Sequence, residues 1–363
     1  MTFADVLSAV QAGRRSDGDR SALARAVIVA LALLLILSFF FSLASGASDV
    51  SAWRVFLETI GLRSGSLEFA DRIVVFDIRM PRAVLGVLIG AALAVSGAIM
   101  QGLFRNPLAD PGLVGISAGA GLGAVSFIVL QTTVLAPIAI VFGIYAIPFA
   151  AFSGGLVSTL LLYRISTRHG RTSVATMLLA GIALGALAGA FTGLLVFWAN
   201  DQQLRDLTFW GLGSLAGATW SKNLMAAPLI LPVLLALPLM ARSLNALALG
   251  EASARHLGID VQRFKNIAIV CVAAATGASV AVSGGIGFVG IVVPHLLRLG
   301  IGPDHRFLLP ASALLGAILL LFADAIARQI VAPAELPIGI VTAAAGAPFF
   351  LWILLRKRGV LDL

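Results

Sequence analysis

Apolar residues in this chain fall in long uninterrupted runs, not in the stripes and alternations of soluble helices and strands. A helix needs about 20 apolar residues to cross a hydrocarbon core. By that measure ten runs stand out, at 27–45, 80–104, 112–130, 135–162, 173–198, 223–241, 264–284, 286–300, 307–327 and 338–355. The third and eighth are short, and Pro294 interrupts the eighth. The fifth ends before a polar stretch, Asn200 to Asp206, and an apolar remnant, Leu207 to Gly217, too short to cross. Broken helices of this kind occur in transporters, where irregular backbone faces protein or a water-filled cavity. The pattern predicts an all-α polytopic membrane protein of about ten transmembrane helices, some short or broken.

Internal similarity adds a second feature. Ala94-Val95-Ser96-Gly97 in the second run recurs as Ala281-Val282-Ser283-Gly284 in the seventh, which suits an inverted repeat because the two runs point in opposite directions. Glycines recur every fourth residue at Gly181, Gly185, Gly189 and Gly193, and again at Gly115, Gly119 and Gly123. Such faces let helices approach closely, and they also suit a pathway lining or a dimer seam.

Composition agrees with the pattern. The chain is 60% hydrophobic and 12% charged, with mean hydropathy +1.03, against about 25% charged in soluble domains. This excludes an ordinary water-soluble enzyme. The net charge of +8 could suggest a nucleic-acid partner, but the cations sit in short links between apolar runs, where they read as membrane topology. With the N-terminus inside, 17 of the 25 cations fall in cytoplasmic segments and 8 outside, so both termini are expected in the cytoplasm. The expected organisation is a cytoplasmic segment 1–26, a transmembrane domain 27–355 with a cytoplasmic excursion at 242–263, and a cytoplasmic tail 356–363. The run from Ala26 to Ala44 resembles a signal peptide only in part, since 25 residues precede it. The lone cysteine, Cys271, excludes an intrachain disulfide and reads as a small core residue.

Missing chemistry narrows the function further. None of the three lysines, Lys222, Lys265 and Lys357, follows a glycine, so the chain has no P-loop and ATP, if used, is bound by another subunit. Asp324 is the only acid inside the ten runs, which argues against a proton relay. The four histidines show no metalloprotease spacing. Of these, His295 could meet a metal-bearing substrate, but it reads first as a side chain hydrogen-bonded within the bundle.

Three segments depart from the apolar background. The first runs from Arg79-Met80-Pro81-Arg82 to Gln101-Gly102-Leu103-Phe104-Arg105-Asn106-Pro107-Leu108-Ala109-Asp110-Pro111. The second is Leu247 to Gly258, one short helix of mixed polar and small residues bracketed by glycines. The third is Gly287 to His295, followed by Ala334-Glu335-Leu336-Pro337. Together, and in this order, they resemble the permease subunits of binding-protein-dependent ABC importers for iron-siderophores, haem and cobalamin. The resemblance extends from Arg79 to the C-terminus.

It implies a homodimer in the bacterial inner membrane, two ATPase subunits on the cytoplasmic side and a periplasmic substrate-binding protein outside. No cofactor is expected on this chain; ATP and Mg belong to the ATPase. By the same resemblance, Leu249, Gly250, Glu251, Ala252, Arg255, Leu257 and Gly258 form an ATPase-coupling helix. Arg79, Arg82 and Arg328 match outer arginines that dock the binding protein, a role suited to a guanidinium that grips carboxylates bidentately. Asn106, Pro107 and Leu108 match the cytoplasmic gate. The segment around Gln101 is most similar to haem permeases, with ferric siderophores and then cobalamin as alternatives. Outside this family, an ion-coupled secondary carrier and a non-transporting assembly subunit are the competing readings.

Overall fold

A computed structural model describes residues 20–46, 69–168, 171–332 and 334–356. The N-terminal segment through residue 19, the outer arginines Arg54 and Arg63, and the tail residues 357–363 lie outside the described residues. The described chain is almost entirely helical. In order come α1 (Ser21–Ala44), α2 (Met80–Phe104), α3 (Ile116–Leu130), α4 (Ala136–Phe142), α5 (Ala146–Ser166), α6 (Val174–Trp198) and α7 (Asp201–Leu212). Then follow α8 (Trp220–Leu235), α9 (Leu237–Ala248), α10 (Glu251–His256), α11 (Val261–Ser283), α12 (Val289–Ile301), α13 (His305–Gln329) and α14 (Ile338–Arg356). A two-stranded hairpin, β1 (Thr167–Arg168) and β2 (Arg171–Thr172), joins α5 to α6.

Each expected apolar run is helical, although 135–162 is divided between α4 and α5 and 223–241 between α8 and α9, and not every helix is long enough to cross a membrane. Six are long and apolar enough, or seven if α8 and α9 count as one span bent by 55°. The bend falls where Pro228, Pro232 and Pro238 remove amides from the ladder. The helices α3, α12 and the apolar part of α14 are shorter. The count of ten spans is therefore not established by helix length. The second run also begins earlier than the hydropathy indicates: a turn at Phe69–Arg72 and a π-helical stretch Ile73–Arg79 lead without a break into α2. Asp71, Arg72, Asp77 and Arg79 hide this extension in the sequence. The polar stretch Asn200 to Asp206 is helical too, started by an Asn200–Gln203 capping box.

The central helix is α2, where every residue from Leu88 to Phe104 is buried. It packs on α8, α11, α12 and α13, and α13 also carries α1 along its side. Small residues permit these approaches: a Cβ on Gly90 would strike the Gly316 carbonyl of α13, and one on Gly97 would strike the Gly290 carbonyl of α12. The third and fifth helices form a similar seam through Gly119, Gly123 and Gly154. By contrast, Gly189 and Gly193 of α6 meet nothing within 4 Å among the described residues, and α6 exposes Leu179, Ile182, Phe191 and Phe197. The first Ala-Val-Ser-Gly tetrapeptide lies within α2, and the second ends α11 with Gly284 as its C-cap. Each of these helices precedes a short one, α3 and α12, and α2 packs on α13 as α11 packs on α5. That reciprocal order is what a duplicated unit gives.

Candidate functional site

At the coupling segment, two glycines define the local structure. Gly250 has φ 105° and Gly258 has φ 79°, left-handed conformations that side chains resist, so the chain turns sharply on either side of α10. The Gly258 and Ile259 amides close the helix by donating to the Arg255 and Ala254 carbonyls. Leu249 and Leu257 stand 70% and 55% exposed at the two ends, an apolar pair presented by a six-residue helix. Both line a cavity of about 410 Å³ with Arg242, Asn245 and Arg306. Ala252 lies within α10, and Arg255 reaches back to Glu251 across one turn at 3.8 Å.

The interior anchor of α10 is a residue the sequence reading did not assign. Lys265 of α11, its side chain 5% exposed, donates to Glu251 Oε1 at 2.7 Å and to the Thr172 carbonyl at 3.1 Å. Gln262 grips the same Thr172 by its amide and hydroxyl. Thr172 ends the hairpin, and Ser173 caps the first turn of α6. One ammonium thus joins α10, α11 and the entry to α6.

The expected gate residues form a compact turn. Arg105 takes a left-handed conformation, φ 50°, and the amides of Arg105 and Asn106 close α2 onto the Gly102 and Gln101 carbonyls. Asn106 Oδ1 accepts the Leu108 amide at 2.9 Å, an Asx turn around Pro107. Asp110 Oδ1 then accepts the Gly112 amide at 2.7 Å. Burial pushes this carboxyl above its ordinary pKa, and the Gly112 hydrogen bond offsets part of the rise. Leu108 lines a small recess with Ile291, Val292, His295, Phe349 and Phe350.

The three arginines expected at the outer face come together, but they are buried within the chain. Arg79, Arg82 and Arg328 are only 5%, 7% and 8% exposed. Arg82 makes bidentate bonds to Asp324 at 2.9–3.1 Å and to Glu335 at 2.8 and 2.9 Å. Arg328 meets Asp324 Oδ2 at 3.1 Å and donates to the Ser45 and Ser42 carbonyls, and Arg79 donates to the Leu43 carbonyl. The cluster ties the end of α1, the start of α2, the end of α13 and the approach to α14. Asp324 and Glu335 were not anticipated as its partners. The Asp324–Arg328 spacing of one helical turn was a usable signal; nothing in the sequence pairs Arg82 with a carboxylate more than 240 positions away. Among the described residues no group of three metal-ligating side chains occurs.

Comparison with known proteins places these features in context. The family model of the FecCD transport family matches residues 34–356. The hemin transport system permease HmuU of Yersinia pestis is 48% identical over 328 residues, covering 90% of this chain and 96% of that protein. The vitamin B12 import permease BtuC of Salmonella paratyphi A is 42% identical over 332 residues, covering 91% and 95%. A solved metal-chelate type ABC transporter in an inward-facing conformation superposes with a TM-score of 0.79 at 30% identity, covering 92% of this chain and 99% of that one.

Proposed function

The chain belongs to the FecCD transport family, a multi-pass membrane permease, and on that footing we propose that it carries haem inward as the permease subunit of an ABC importer. The identity of 48% to a hemin permease, against 42% to a vitamin B12 permease, favours haem over cobalamin as cargo. The partner half of the proposal rests on α10. A six-residue helix with two exposed leucines, anchored beneath by a buried lysine, is built to receive an external body, and the chain has no P-loop of its own. ATP and Mg belong to two separate ATPase subunits seated there. Both termini then lie in the cytoplasm, in a bacterial inner membrane, and a periplasmic binding protein delivers the cargo opposite.

Two copies of the chain would share the pathway, with the open glycine face of α6 available at their seam. Docking of the binding protein would involve Arg79, Arg82 and Arg328 by exchange: an incoming carboxylate would replace Glu335, the half-exposed member of the cluster, on Arg82. The division of labour is testable in nanodiscs. The purified chain should hydrolyse no ATP, and turnover should appear when its ATPase subunit is added. Sustained hydrolysis by a verified single-chain preparation would overturn the assignment.

A further inference from the structure

Pro294 lies inside α12 and has no amide to give, so the Gly290 carbonyl one turn earlier loses its helical donor. A neighbouring helix supplies one. Gln101 Nε2 of α2 lies 3.2 Å from that carbonyl and 3.4 Å from the Ile291 carbonyl beside it. The other end of the same amide is also engaged, since Oε1 accepts from Arg298 Nη1 at 2.9 Å, one turn beyond Pro294. This fixes the orientation of the side chain. Turned over, it would set oxygen against carbonyl oxygen and an amide against a guanidinium.

The backbone of Gln101 has a separate task. Its carbonyl accepts the Asn106 amide at 3.1 Å and so closes α2 into the Asn106–Leu108 turn. That turn returns to the same part of α12. Leu108 shares its recess with Ile291, Val292 and His295, and Asp110 Oδ2 lies 3.1 Å from where a Gly290 side chain would begin. With Gly97 already against the Gly290 backbone, α2, the turn and the part of α12 before Pro294 converge on one buried point, and Gln101 is only 2% exposed there.

We propose that Gln101 is a positioning residue for gating: its side chain replaces the donor that Pro294 removes from α12 while its backbone closes the adjoining turn, so the α12 surface against which Leu108 packs is held in place. The inference rests on reading Asn106–Leu108 as the inner gate. A rescue experiment tests it, because Pro294→Ala returns the missing amide from within α12. In a Cys271→Ser chain carrying Leu108→Cys, maleimide labelling in nanodiscs reports how firmly the turn is held, with no need for cargo or partner.

Gln101→Met should raise the labelling rate about tenfold, and adding Pro294→Ala should return it to within about threefold of the parent. Gln101→Glu keeps an acceptor for Arg298 but loses the donor, and should behave like Gln101→Met. In the full complex with native Leu108, uptake per ATP should fall and recover in the same order. Unchanged labelling in Gln101→Met, or no recovery on adding Pro294→Ala, overturns the bridge. Labelling that follows the expected order while uptake stays normal overturns its gating role. A wild-type complex that moves no cargo at all would instead count against the transport reading, and the labelling series would still decide the bridge.

Discussion

Replacing Asp324 by alanine should lower the thermal midpoint of the detergent-purified chain by about 10 °C or prevent its accumulation. Asp324 is buried between two guanidiniums, bonded to Arg82 through both carboxylate oxygens and to Arg328 through one. Its removal leaves two cations, each under 10% exposed, with the shared charge gone. Breaking such a buried pair costs about 3–5 kcal/mol, because the penalty falls on the groups left behind. The effect should centre on Asp324 and not on any carboxylate near an arginine. Glu335 is 39% exposed and leaves Arg82 still paired when lost, so Glu335→Gln should cost about 1 kcal/mol or less. A thermal melt of both variants separates the cases. Equal midpoints would show that the cluster does not brace the end of α1, the start of α2 and the end of α13.

The second large effect is expected at α10. Glu251→Arg would place a guanidinium beside the buried ammonium of Lys265, which now sits 2.7 Å from Glu251 Oε1. Repulsion would lift α10 from α11 and break the connection through Thr172 to α6. Glu251 is 37% exposed and Lys265 keeps the Thr172 carbonyl as a partner, so protein abundance should change little. Uptake per ATP hydrolysed should fall about tenfold, while the ATPase subunits continue to turn over. Glu251→Gln, which keeps a hydrogen bond to Lys265 but not the charge, should fall between. Uptake and hydrolysis measured in the same vesicles check this, and an unchanged ratio for Glu251→Arg would remove α10 from the coupling route.

What the sequence discloses follows from how local each constraint is. Lipid demands long apolar runs wherever a helix crosses, so the apolar helices are visible in hydropathy alone. The short helix α10 is visible because only glycine readily takes the backbone needed at 250 and 258, and the Asn106–Leu108 turn because Asn-Pro favours an Asx turn. The π-helical approach to α2 escapes the same reading because charged residues interrupt its hydropathy. Long-range pairing is equally hidden: Arg82 with Asp324 and Glu335, Lys265 with Thr172, and Gln101 with Gly290 and Arg298 join residues 93 to 253 positions apart. An arginine at the end of a span looks the same in sequence whether it awaits a partner or is already paired within the chain. Only the fold shows that Arg82 is held from inside.

As proposed, this permease moves haem and is driven by separate ATPase subunits. Proteoliposomes containing the complete complex, with its own binding protein outside and ATP inside, test this most directly when haem, a ferric siderophore and cobalamin are supplied in turn. The expected result is ATP-dependent accumulation of haem above the other two, abolished when ATP is omitted. Uptake that proceeds without ATP, or transport of cobalamin or the siderophore with none of haem, would contradict it.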